Sequence, residues 1–162
     1  MTGQEVLYFE DLYLGMAARS PGRTVTEADI VAFAGLSGDF NPLHTDAEVA
    51  SASAFGRRVG HGLLGTAIAS GLFTRTPLSQ ALQGSLVAML GIEWRFERPI
   101  LIGDTIHVEA EVVELRETSR PDRGLVVIER RVIDQSGTRV QSGKTPMLVT
   151  RRTPVEPSKG QS

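Results

Sequence analysis

The sequence predicts an α+β domain in which an antiparallel sheet wraps around one long central helix. Three observations carry that prediction. Residues 62–74 are apolar on nearly every side, as a helix enclosed by other elements must be. After residue 84 the apolar spacing changes from helical to alternating, and four strand patterns follow one another. Short turn signals separate those strands, so sequential neighbours can pair antiparallel.

In chain order, residues 7–15 form an aromatic lead-in over one edge of the core. Residues 16–24 read as a first strand interrupted by Pro21-Gly22. Thr26 is placed to cap a helix, with Glu27 and Asp29 near its positive end. Ile30, Phe33 and Ala34 give that helix its apolar spacing, and Gly35 or Gly38 stops it. A loop is expected over 37–45, then a short helix capped by Asp46 and running to Ala54, then a basic loop containing Arg57 and Arg58. In the central helix Gly65, Ala67, Ala69 and Gly71 are small enough for a sheet to approach closely, and Pro77 lies beyond its end. Strands follow over 86–96, 105–115, 125–133 and 139–150, the second with Ile106, Val108, Ala110 and Val112 on one face. One buried helix followed by such strands is the arrangement of the hotdog fold.

Residues 1–152 are assigned to a single domain and 153–162 to a polar, flexible C-terminal tail; 162 residues bury one sizeable core, not two. A net charge of −2 argues against a nucleic-acid partner. The absence of cysteine excludes thiol nucleophiles, disulfides and zinc–thiolate sites. No apolar run reaches membrane-spanning length, and residues 1–5 lack a secretion-signal pattern, so a cytoplasmic protein is expected.

The densest chemistry lies in Ser37-Gly38-Asp39-Phe40-Asn41-Pro42-Leu43-His44, followed by Val59-Gly60-His61-Gly62-Leu63. Gly38 permits an unusual backbone angle, and Pro42 blocks helix and holds Asn41 extended, so Asp39 and His44 sit on a bent loop where they can converge. Other readings stand beside this one. Asp-x-Asn-Pro also describes an Asx turn, and His61 equally fits a structural histidine bonded to backbone. Ser70 fits helix packing as well as substrate contact, Arg57 and Arg58 fit a solvated loop, and His107 fits a surface position. Trp94 fits core or interface better than a ligand platform.

The run from Phe33 to His44, with Ala50 six residues on, resembles the signature of the MaoC-like hydratases, which include R-specific enoyl-CoA hydratases. The likeness extends through His61-Gly62, Ser70-Gly71, Trp94-Arg95-Phe96, Arg98-Pro99-Ile100 and Ile102-Gly103-Asp104, covering most of residues 25–150. It implies a hotdog fold, a homodimer or higher homo-oligomer, and hydration of trans-2-enoyl thioesters or the reverse dehydration. By motif position it implies Asp39 and His44 as the catalytic pair, and the Gly62 amide as oxyanion donor. Asn41, Leu63 and Ser70 become substrate-binding positions, and no cofactor or metal is called for. Departures lie at Arg58-Val59-Gly60, near the thioester, and on the helix, where Phe73 would shorten an acyl pocket that Gly65 would open.

A short or medium 2-enoyl-CoA is the expected substrate. The alternatives are a dehydratase acting on acyl-carrier-protein thioesters, a thioesterase, and a non-catalytic acyl-thioester-binding subunit.

Overall fold

The computed structural model describes residues 5–153, so the predicted tail lies almost wholly outside the described residues. Its elements are β1 (Ala17–Arg19), β2 (Arg23–Thr24), α1 (Glu27–Ser37), α2 (Pro42–Thr45), α3 (Ala47–Ser51), α4 (Gly62–Phe73), α5 (Pro77–Leu82), β3 (Leu86–Met89), β4 (Glu93–Phe96), β5 (Thr105–Glu117), β6 (Arg123–Ile133) and β7 (Arg139–Thr150). All strand pairs are antiparallel, in the order β1-β5-β6-β7-β3, with β2 also on β5 and β4 also on β7. The alternation of β5 survives intact: Ile106, Val108, Ala110 and Val112 are all buried in one core with Leu64, Ile68 and Leu72 of α4. The predicted hotdog arrangement is the one found.

Both edges of the sheet are broken, only one as predicted. Pro21-Gly22 separates β1 from β2, which continue along the same neighbour, β5. The expected strand over 86–96 instead splits into β3 and β4, both on β7. The break lies where Leu90 donates to the carbonyl of Pro146 at 2.8 Å. Proline has no N–H to return, so the ladder cannot close there.

Local departures have equally local causes. Pro42 begins a one-turn helix rather than blocking one, because the first helical position needs no N–H partner. The helix capped by Asp46 ends at Ser51, earlier than expected. Thr76 caps an additional helix that starts at Pro77. His107, expected at the surface, is largely covered, with an Nε2 that has no hydrogen-bond partner among the described residues. The central helix is buried on only one side: Leu63, Ala67, Ser70 and Gly71 face outward from the chain.

One core position carries a charge. Arg130 is 3% exposed, with its guanidinium 3.8 Å over the Phe73 ring and Nη2 directed at Met147 Sδ. Burial lowers its pKa to about 10, well below the ordinary arginine range. The unfolded chain therefore holds this proton more tightly. At neutral pH the shift costs the fold about 3 kcal/mol, and stability recovers as pH rises above about 10 toward the ordinary arginine pKa. Arg130→Met is accordingly expected to raise the melting temperature by about 5 °C, measured by calorimetry at pH 7.

Candidate active site

Gly38 caps α1 with φ +75°, a left-handed angle that glycine takes without strain, and turns the chain sharply out of the helix. The Asp39 N–H then donates to Ser37 Oγ at 3.2 Å, and Asp39 Oδ1 accepts the Asn41 N–H at 3.2 Å. This is an Asx turn, and it presents an exposed carboxylate. The Asx-turn reading of Asp39 therefore holds, and the turn keeps the carboxylate at the surface. Asn41 Oδ1 accepts the Leu43 N–H at 3.0 Å and caps α2, the single turn that carries His44. The Asn41 side chain thus serves the loop, and it does not border the cavity described below.

Residues 59–61 clamp this loop to the start of α4. His44 Nδ1 donates to the Val59 carbonyl at 2.8 Å, while the Val59 N–H donates to the Leu43 carbonyl at 3.2 Å. Gly60 N–H donates to the Ile100 carbonyl at 2.8 Å, and His61 Nε2 donates to the Asp39 carbonyl at 2.9 Å. Carbonyls only accept, so each bond decides a tautomer. In the neutral rings the lone pairs belong to His44 Nε2 and His61 Nδ1. The two imidazoles stack with centroids 3.8 Å apart and planes tilted by 32°. His61 is buried, and its Nδ1 has no hydrogen-bond partner among the described residues.

A cavity of about 470 Å³ opens beside this cluster, lined by Asp39, His61, Gly62, Leu63, Phe96 and Gln141 and rimmed by Phe33 and Phe55. Its size suits a small organic ligand, for which sites run roughly 300–1,000 Å³. Gly62 is the first residue of α4, so the amides of its turn have no carbonyl one turn back to bond. A Cβ at Gly62 would lie 3.0 Å from the Phe96 ring, so glycine lets that ring pack closely over the helix start. At the rim Glu97 accepts from Ser142 Oγ and Arg139, and these bonds hold its carboxyl below the usual range.

The structure thus gathers Asp39, His44, Gly62 and Leu63, and leaves Ser70 apart. Ser70 is exposed two turns along α4 and does not border the cavity. Phe73 is buried beneath Arg130. Gly65 opens no space: a Cβ there would fall closer than 3.0 Å to the Gln141 amide and to Ile100 Cδ1, so Gln141 occupies the room that glycine leaves. Arg58 meets Glu27 through two bonds, at 2.8 and 2.6 Å, tying its loop to α1 rather than to the cavity. Sequence reading did not single out Phe33, Phe55, Phe96 or Gln141 as cavity residues. Two glycines one turn apart, Gly62 and Gly65, were the available signal that something would press on that helix face.

One nitrogen or oxygen from each of Asp39, His44 and His61 lies within 4.8 Å of the others, a grouping that invites comparison with metal centres. A shared ion needs in-plane lone pairs that converge on it. The two imidazoles are instead stacked on each other's faces, with centroids 3.8 Å apart and a tilt of 32°.

A sequence profile for the MaoC like domain matches residues 13–134. The chain belongs to the MaoC-like family. It is 36% identical to an (R)-specific enoyl-CoA hydratase of Aeromonas caviae over 135 residues, 83% of this chain and 93% of that one. A MaoC-like dehydratase from Rhodospirillum rubrum superposes with TM-score 0.81 at 33% identity, covering 91% of this chain and 99% of that one. A Mycobacterium tuberculosis protein described as a double hotdog matches with TM-score 0.78 at 23% identity, over 97% of this chain and 48% of that one, and supports the fold. Among the described residues, no helix of this MaoC-like chain is long and apolar enough to cross a membrane.

Proposed function

We propose that this MaoC-like protein catalyses R-specific hydration of a trans-2-enoyl-CoA to the 3-hydroxyacyl-CoA, or the reverse dehydration. The observation that carries the reading is the convergence of Asp39 and His44, within 4.8 Å, beside the first turn of α4. Asp39 and His44 hold one water between them, with His44 Nε2 and the Asp39 carboxylate as its acceptors. The water oxygen bonds to C3, one of its O–H bonds breaks, and the pair returns that proton to C2 on the same face. Negative charge builds on the thioester oxygen as C3 is attacked. The amides of Gly62 and Leu63, at the positive end of α4, lie where they can meet it. Leu63 borders the cavity. Asn41 supports the pair by holding the turn that carries His44.

The test is loss of enoyl absorbance with crotonyl-CoA, with the configuration of the product determined. Formation of the R-3-hydroxy thioester supports the reading. Absence of turnover from folded protein contradicts it and points to the carrier-protein or binding alternatives.

We further propose a homodimer. The outward face of α4 and the edge carrying Val87, Met89, Leu90 and Ile92 are both apolar and uncovered. An unpaired edge of this kind is stabilised by pairing with a second copy. Light scattering is expected to give twice the chain mass of 17.5 kDa, and a monomer at high concentration would refute this.

A further inference from the structure

The chemistry above leaves Gln141 without a role, although its amide is 98% buried on the cavity wall (2% exposed). Gln141 lies on β7 opposite Phe96 of β4. Its Oε1 accepts from Trp94 Nε1 at 3.0 Å, and its Nε2 donates to the Gly62 carbonyl at 3.0 Å. An indole N–H only donates and a carbonyl only accepts, so the two contacts lock the amide in one orientation. Space for the pair is cleared by glycines. A Cβ at Gly65 would strike the Gln141 amide, and one at Gly143 would strike the Trp94 indole. Apolar side chains at both 141 and 94 would fill this space with no polar atoms to satisfy, so core packing alone does not call for an amide paired with an indole N–H.

What the amide does is set by peptide geometry. The Gly62 carbonyl shares its peptide unit with the Leu63 N–H, in the first turn of α4. That carbonyl also accepts from Thr66 Oγ1 at 3.2 Å. Each bond accepted at the oxygen polarises the peptide and strengthens its N–H as a donor. Each also resists rotation of the peptide plane, on which the direction of the N–H depends.

We propose that Gln141, oriented by Trp94, is a positioning residue for the reaction: it aims and polarises the first peptide of α4 toward the thioester oxygen. This rests on the reading in which the first-turn amides receive that oxygen.

The experiment uses full-length protein, a saturated butyryl-CoA with a labelled thioester carbonyl, and crotonyl-CoA turnover. Bound to the wild type, the carbonyl stretch is expected to move to lower frequency. Gln141→Leu is expected to lose part of that shift and about tenfold in kcat with KM nearly unchanged, less than the roughly 10²–10³ lost with an oxyanion donor itself. Trp94→Phe removes the N–H that orients the amide together with part of the indole, and the same direction of change is expected. Gln141→Glu has the shape of the native side chain but donates to Gly62 only when protonated. Its kcat relative to wild type is expected to fall as pH rises, a dependence that a purely structural role would not produce. Folded Gln141→Glu and Trp94→Phe proteins with wild-type stretch and kcat would overturn the inference and leave the proposed hydration standing. A wild type that turns over crotonyl-CoA without shifting the stretch would overturn the oxyanion assignment and this inference with it.

Discussion

Asp39→Asn is expected to lower crotonyl-CoA hydration by about 10²–10⁴, and His44→Gln by a similar factor, the usual contribution of a placed acid–base group. Asparagine keeps an oxygen for the Asn41 N–H, so the Asx turn is retained while the carboxylate is lost. Glutamine is the gentler change at position 44, since alanine would also remove the bond to Val59 and the stack on His61. Binding of butyryl-CoA should survive in both variants, which separates an enzyme from a mere binder. If both groups act on the same water, as proposed, the double variant is expected to be little worse than the poorer single one. Turnover retained by either folded single variant would remove that residue from the proposed pair.

Gly143→Ala carries the largest expected effect on stability. A Cβ there would fall closer than 3.0 Å to the Trp94 indole and to the Glu93 carbonyl oxygen. The carbonyl is backbone of the strand paired directly with Gly143, and the indole is held by Gln141. Neither yields without disturbing the sheet edge beside the cavity. A cost of about 3 kcal/mol is expected, or roughly 10 °C in melting temperature for a domain of this size. Gly35→Ala provides the contrast. It lies within α1, where a Cβ meets nothing within 4 Å, and the change should stabilise by about 0.5–1 kcal/mol. Equal melting temperatures for wild type and Gly143→Ala would contradict the packing argument.

The sequence by itself determined the parts of this protein that follow from local rules. Alternation along residues 105–115 marked the core face of β5, because neighbouring side chains in a strand must point to opposite sides. The apolar run from Gly62 marked α4 to within one residue of its observed end. Asp39 and His44 were legible as a pair because five residues and a bend leave them little freedom to separate. Tertiary structure decided what depends on partners distant in the chain. Pro146 split the edge strand from across the sheet. His61 stacked on His44 only once Ile100 and Val59 had fixed their segment. Gly65, which in sequence promises an opening, is filled by a side chain 76 positions later. Strand register, a property of the whole sheet, decides which side chain enters such a gap, and no local pattern near Gly65 encodes it.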